Sequence, residues 1–391
     1  MSALWNNTIQ LAQTLRHDLH AQPELSWQEE QTAERIRNLL TQWQIPWRSC
    51  AGTGTLAQLN PGGAGKHLAL RADIDALPIT ENTNKPYQSL NPGCMHACGH
   101  DGHTATLLAT AHWLKQRELQ LPGPLTLLFQ PAEEGGHGAK KMIEDGALEG
   151  IDEIYGWHNW PAIPFGQMAC PDGIVMCGNG VFSIRVKGQG GHASQPEHCK
   201  DPVLAAATIV TGLQQIISRR LPPQQAAVVS VTSIDAPSAP TVIPEVATIG
   251  GSIRIPDEFT RDKINHLIEH VSKQIAAGYG VDCDVTVEPR YQATINHASQ
   301  ARNMRQLWQQ EWGDQGLTDA SIALPVMASE DFSYYLKEIP GAFALIGADD
   351  GEDHHFPCHS THYDFNDRLI ERVAKLYCAL AGLPVDDAPS T

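Results

Sequence analysis

The stretch HLALRADIDALP (67–78) begins as a short apolar run and ends on two carboxylates, Asp73 and Asp75, ahead of a proline. Two more runs share this form: PLTLLFQ (124–130) leads into PAEEGG, and EIYGWH (153–158) ends on a histidine. Helix-like segments, Thr104 to Lys115 and Ala139 to Glu144, separate them. Strands that alternate with helices predict a parallel sheet with crossover helices, completed by AFALIG (342–347) as last strand and a C-terminal helix over Asp367 to Leu380. Upstream, Leu11, Leu15 and Leu19, then Ala33, Ile36, Leu39 and Leu40, keep helical spacing on either side of Pro23, which predicts two helices and a turn.

A different rhythm lies between these parts. VFSIRVK (181–187) alternates as a half-buried strand, Pro202 to Arg219 has helical spacing, AAVVSVT (226–232) and VATIGGSIRI (246–255) are strands, Glu258 to Ala277 is a helix and DCDVTVE (282–288) a strand. The order β-α-β-β-α-β is that of a ferredoxin-like unit. The expected fold class is therefore α/β: a catalytic, mostly parallel-sheet domain over residues 1–178 and 291–391, with an inserted ferredoxin-like (α+β) lid or dimerisation domain over 179–290. A chain of 391 residues is long enough for two cores.

Composition narrows the partners. Lys and Arg number 27 against 44 Asp and Glu, giving 27 − 44 = −17, which argues against nucleic acid and anionic membranes as partners because both demand a basic surface. No segment approaches the roughly 18 uninterrupted apolar residues of a membrane span. MSALWNNTIQ lacks the basic stretch and apolar run of a secretory signal, so the expected location is the cytoplasm. Nine scattered cysteines, an odd number, read as reduced thiols and not as a disulfide framework. The tail GLPVDDAPST (382–391) reads as frayed.

Ligands of open parallel sheets bind beyond the carboxyl ends of the strands. That rule puts Asp73, Asp75, Glu133, Glu134 and His158 on one rim. The loop MHACGHDGH (95–103) adds a cysteine and three histidines, and thiolate and imidazole are preferred ligands of zinc and its neighbours. In an extended loop Cys98 and His100 would project to the same side, and a thiolate can also bridge two ions. No second CxxC pair closes a structural zinc set, so an open catalytic site is favoured over a capping loop. Glu133 and Glu134, adjacent on an extended chain, would point in opposite directions, one to a metal and the other to water as general base. Elsewhere such a pair is a solvated surface feature; here it follows a buried strand and precedes two glycines. In FPCHSTHYDFND (356–367) either His359 or His362 can be a last ligand, while Glu330 and Asp331 precede a helix that they can cap. His192, in KGQGGHASQPEH (187–198), follows glycines at a strand end and has no packing duty.

Taken in order, RHDLHAQPELSWQE (16–29), RADIDALP, MHACGHDGHTA, QPAEEGG, GWHNWP (156–161), GQGGHASQP, SEDFSYY and YDFND resemble one family nearly end to end. It is the amidohydrolase family of hippurate hydrolases, N-acetyl-amino-acid deacetylases and plant auxin-conjugate hydrolases, within the aminoacylase and carboxypeptidase G-like metallopeptidases. The resemblance implies that Cys98, His100, Glu134, His158 and His359 hold two divalent ions per subunit, with Cys98 able to bridge. The ions would be zinc, manganese, cobalt or nickel. It implies Glu133 as the base that activates water and protonates the leaving amine, and Asp75 as the carboxylate orienting a ligand. His192 would polarise the scissile carbonyl from the partner subunit of a homodimer or higher homo-oligomer. Asp73 stands where wider relatives carry a ligand histidine and is left out of the metal set. Thr241 replaces an expected substrate-holding asparagine, and His137 replaces a glycine. Arg254 is a candidate grip on the substrate carboxylate, with an ion pair on its strand as the alternative. The expected reaction is hydrolysis of an N-acyl amino acid, acetyl or aromatic acyl. Its rivals are a metallo-carboxypeptidase or dipeptidase and a non-catalytic metal-dependent binding protein.

Overall fold

Each apolar run becomes a strand in the computed structural model, which describes residues 3–318 and 322–385. Leu68–Asp73, Leu125–Gln130, Glu153–Pro164 and Gly341–Asp349 pair in parallel. Gly54–Leu59 and Trp47–Cys50 extend the sheet antiparallel at one edge, and Met168–Ala169 at the other. The parallel strands are buried almost throughout, which is why they read as continuous apolar runs and not as alternating ones.

Strand order reverses between Leu68–Asp73 and Glu153–Pro164, because Leu125–Gln130 lies on the far side of the former. Such a switch point opens a crevice at the carboxyl ends of its two strands. Leu68 pairs with both Leu125 and Glu153, so Asp73 and His158, each five residues on, come level. His158 was expected at a strand end; the strand instead continues to Pro164, because Gly341–Asp349 supplies a pairing partner along that whole length.

Helix His100–Lys115 starts four residues before the expected Thr104 and is buried on nearly every face. It packs against helices Ala3–His20 and Arg368–Leu380 and against the sheet, so it has no solvent stripe to give it an amphipathic pattern. Helix Glu30–Gln42 completes the N-terminal pair. The core of this unit runs from Trp5 through Leu107, Leu127 and Trp157 to Val373.

The chain divides into two compact units, Met1–Val175 with Ile295–Ala323 and Asp331–Thr391, and Met176–Thr294 with Leu324–Glu330. In the smaller, four antiparallel strands lie in the order Val228–Asp235, Val246–Ile255, Gly178–Lys187, Asp282–Pro289. Strict alternation of burial along Val246–Ile255 marks a sheet covered on one face. The helices on it start at side-chain caps: Asp201 accepts from Val203 N at 2.8 Å, ahead of Pro202, and Asp257 accepts from Thr260 N at 2.7 Å. The helix expected over Pro202 to Arg219 is two pieces, Pro202–Leu213 and Gln215–Arg220, with Gln214 N bonded three residues back to Thr211 O at 3.2 Å. Residues 386–391 of the tail expected to fray lie outside the described residues. No described helix is long and apolar enough to cross a membrane.

Candidate metal centre

Asp75, two residues past its strand, organises the rim. Its carboxylate accepts Glu133 N–H on Oδ1 and Glu134 N–H on Oδ2, each at 3.0 Å, and Ser26 Oγ–H at 2.7 Å. Burial alone would raise the Asp75 carboxyl, but His100, Ser26 and the Glu134 N–H hold it below the ordinary carboxylate value, so it stays ionised. The turn it clamps is not the extended chain expected from sequence. Residues 133–135 turn, and the Glu133 and Glu134 carboxylates converge within 4.8 Å of each other and of His100 instead of pointing apart.

His100 faces Asp75 through Nδ1, 2.9 Å from the backbone oxygen and 3.3 Å from Oδ1. An Nδ1–H donated there leaves the Nε2 lone pair pointing away, the arrangement of a metal-ligating histidine backed by a carboxylate. Gly99 places it: φ is +92°, and a Cβ at that position would come within 2.3 Å of Asn159 Oδ1 and 2.5 Å of Tyr363 Oη. The expected extended loop is therefore a left-handed turn opening directly into the helix, and only glycine fits there.

Two triads of ligand-type atoms result, each within 4.8 Å internally: Cys98, His100 and His158, and Cys98, Glu134 and His359. Cys98 belongs to both. Its Sγ lies 3.2 Å from His158 Nε2, and Glu134 Oε1 lies 3.3 Å from His359 Nε2. All five residues singled out as ligands thus meet, whereas His362 turns to Asn82 and Thr361. His359 is the open member, its side chain 53% exposed and its backbone at φ +69°.

The residues fit a cation. Among the described residues, His100 Nε2 and Glu134 Oε1 are buried without a hydrogen-bond partner. Burial draws the His100 imidazole down, yet Asp73, Asp75 and Glu134 hold it up at about 10, a surplus of negative charge that a proton only partly answers. Cys98 is pushed well above the usual thiol range, first by its hydrogen bond with Cys358, then by burial and the Glu134 charge. A bound cation reverses that push, since a coordinating thiol is deprotonated. His158 is already held neutral, by burial and then by His103.

Behind the triads stands a frame that the sequence reading did not assign. Asp73 accepts Arg71 Nη1–H at 2.6 Å and faces His103 Nδ1 at 2.6 Å, and His103 Nε2 faces Asn159 Oδ1 at 2.7 Å. Asn159 Nδ2 donates to Tyr363 Oη at 2.7 Å, which fixes the orientation of the amide. Asp73 also groups with His100 and His103 as a possible ligand set, but its oxygens are engaged by Arg71 and His103, which favours a supporting role. Asp331 serves the first turn of helix Gly138–Glu144 and the strands beside it. It accepts Arg71, Gln130 and the Ala139 N–H, while its own N–H lies 3.4 Å from Glu133 Oε1. His137 occupies a left-handed position, φ +58°, which accounts for the glycine expected there, and its Nδ1 lies 2.9 Å from Tyr334 Oη.

In the smaller unit, His192 and Thr241 meet on one ribbon. Val242 pairs with His192, and Thr241 O accepts Ala193 N–H at 2.9 Å. Ser194 N–H donates to His192 Nδ1 at 3.1 Å, so a neutral ring carries its proton on Nε2, facing outward as a donor. Arg254 is engaged through two of its nitrogens and pairs with no carboxylate among the described residues: Nε donates to Met327 O, and Nη1 to Ser252 Oγ and Ile253 O.

Comparison with known proteins agrees with this geometry. The model of Peptidase family M20/M25/M40 matches residues 69–382. N-acetylcysteine deacetylase of Bacillus subtilis is 38% identical over 88% of this chain and 90% of its own length. Hippurate hydrolase of Campylobacter jejuni is 36% identical over 94% of each. The crystal structure of the Bacillus subtilis YXEP protein, described as a dinuclear metal binding peptidase from the M20 family, superposes with a TM-score of 0.83. It shares 32% identity and covers 96% of this chain and 99% of that one.

Proposed function

The chain belongs to peptidase family M20/M25/M40 and is a metal-dependent amidohydrolase of N-acyl amino acids, and we propose that Cys98, His100, His158, Glu134 and His359 hold two divalent ions for this work, with Glu133 as base. One observation carries the assignment: two ligand triads share a single thiol, beside a glutamate that neither triad needs. Bound ions would supply Lewis-acid polarisation of the amide carbonyl and acidify the attacking water.

The chain's own residues do the rest. Glu133, its backbone held by Asp75, takes a proton from water and returns it to the leaving nitrogen, so that amide and water become carboxylic acid and amine. Asp75 keeps His100 in the tautomer that presents Nε2. His192 Nε2–H donates to the carbonyl oxygen as negative charge develops there. Thr241, on the same ribbon, borders the acyl or amino-acid side chain. Arg254, whose Nε and Nη1 are engaged, offers only Nη2 to a carboxylate.

We further assign a homodimer formed through the smaller unit. Val228–Asp235 is an edge strand with Ile234 exposed, and pairing with a twofold copy would satisfy it. A neighbouring subunit would then supply His192.

The deciding experiment couples metal analysis of the purified protein to a panel of N-acetyl amino acids, hippurate and dipeptides. Expected are about two ions per chain and turnover of the N-acyl amino acids, lost on chelation and restored by a divalent ion. Preference for dipeptides would reassign the chain to the dipeptidase reading, and full metal without turnover of any amide would reassign it to binding alone.

A further inference from the structure

Cys358 precedes the ligand His359, yet among the described residues no ligand group includes its thiol. His359 N–H donates to Ala97 O at 2.7 Å, so the two loops touch one residue away from each of two cysteines. There Cys358 is the neighbour that most strongly raises the Cys98 thiol. Asn159 Nδ2, anchored on Tyr363 Oη, approaches Cys358 Sγ at 3.7 Å and holds it in place. A half-buried free thiol is therefore carried on a loop bonded beside the buried free thiol that both ligand triads share. Packing alone asks only for a small apolar side chain at 358; a second thiol at that place brings a reaction within reach.

We propose that Cys98 and Cys358 form a reversible disulfide under peroxide, a modification that withdraws Cys98 from the metal centre. This rests on Cys98 being a metal ligand, as proposed above. Cys358, the more accessible sulfur, attacks the peroxide as its thiolate; the O–O bond breaks, hydroxide leaves and a sulfenic acid remains. The Cys98 thiolate then attacks that sulfur, the S–S bond forms and the S–O bond breaks with loss of a second hydroxide. Two thiols give up two electrons and two protons, and one peroxide becomes two waters. A sulfur committed to Cys358 carries no negative charge for a cation, so both triads lose the member they share. What remains is His100 with His158 and Glu134 with His359, two pairs of ligands where two triads stood. A dithiol reverses the bond and restores the site.

The test exposes the metal-loaded full chain to hydrogen peroxide, then reads unreduced peptide masses and the metal captured by a chromophoric chelator. Expected is a cross-linked peptide joining Cys98 to Cys358, lighter by two hydrogens, with metal released in step and both changes reversed by a dithiol and added divalent ion. Cys358→Ser and Cys358→Val, expected to keep basal activity and metal content, should form no cross-link and keep their metal through the same exposure. Sulfinic acid at Cys98 without a cross-link, or equal metal loss from the parent and both variants, overturns the disulfide. A cross-link that leaves the metal bound overturns instead the placement of Cys98 among the ligands, and with it the withdrawal. Were either variant not to fold, the parent's cross-link and metal release decide the matter alone.

Discussion

In the larger unit Cys98, His100, Glu133 and His158 are buried, and the groups that hold them are held in turn: Asp75 by Ser26, Asp73 by Arg71, Asn159 by Tyr363. In the smaller unit His192 and Thr241 are exposed, and a two-residue ribbon with local turns positions them. A metal centre needs several donors converging at fixed spacing in a low dielectric, which only an over-determined frame supplies. A group that meets substrate must remain reachable, and its support is correspondingly thin. The contrast separates residues whose loss should stop chemistry from residues whose loss should tune it.

Glu133→Gln puts the contrast under its largest load. The amide keeps the shape of the side chain and an oxygen for the Asp331 N–H, so metal content should stay at the parent level while kcat falls by about 10²–10⁴-fold. Near-normal turnover would remove Glu133 from the role of base.

His192→Ala comes next. Removal of one donor to a developing oxyanion costs about 10²–10³-fold in kcat, here with metal unchanged because the residue belongs to the other unit. Metal loss in this variant would break the separation of roles. Mixed with Glu133→Gln subunits, it should regain activity, because one site of the hybrid holds both intact residues; no recovery, with exchange confirmed by mass, would assign His192 to its own subunit.

Behind the metal loop the frame itself titrates. Burial draws the His20 imidazolium down, but Asp101, 2.8 Å away, and then Glu81 at 3.2 Å hold it up at about 9. A raised value means that the folded chain binds this proton more tightly than the unfolded chain. The stabilisation is therefore complete below the ordinary value of 6.5 and is lost as pH rises through about 9. Asp101 and Glu81 are depressed, so their contribution exists above the ordinary carboxylate range and disappears in acid. The span from 6.5 to about 9 corresponds to about 3 kcal/mol. Urea-unfolding free energies of the parent and His20→Gln, both metal-stripped, should converge between pH 6.5 and 9 by roughly that amount. A constant difference across the range would show that His20 is not the titrating group.

The rim of the sheet was legible because strand, loop and helix repeat with ligand-type residues at one end, and the switch-point rule then gathers Asp75, Glu133, Glu134 and His158 without any distance being known. Local direction was not legible. Glu133 and Glu134 were read as opposed on an extended chain, but Asp75 accepts both of their N–H groups and bends the chain into a turn. Gly99 did the same to the stretch holding Cys98 and His100, since its left-handed φ answers to Asn159 and Tyr363, residues 60 or more positions away in sequence. Asp331, read as able to cap the helix that follows it, answers to Arg71 and Gln130 across the sheet and to the first turn of helix Gly138–Glu144. Long-range contacts of this sort leave no local periodicity, and that is why Arg71, His103 and Asn159 carried no signal beyond their presence in the quoted strings.

Thr241→Asn should have the smallest effect and is the finest test of the contrast. The ribbon takes its bond from the backbone at this position, Ala193 N–H to Thr241 O at 2.9 Å, so exchange of the side chain leaves His192 where it is. Thr241 is exposed, and the longer amide would meet solvent or substrate before it met the core. One gained or lost hydrogen bond is worth about 0.5–1.5 kcal/mol, so kcat/KM should move by no more than about tenfold. The change should fall unequally on N-acetyl and N-benzoyl substrates, because Thr241 is proposed to border the acyl or amino-acid side chain and not the reacting carbonyl. Metal content and the pH dependence of kcat should match the parent, since both belong to buried residues of the larger unit. A fall of about a hundredfold or more in kcat, equal for all substrates, would mean that Thr241 positions His192 for the chemical step, and the line drawn between fixed and reachable residues would move to include the ribbon.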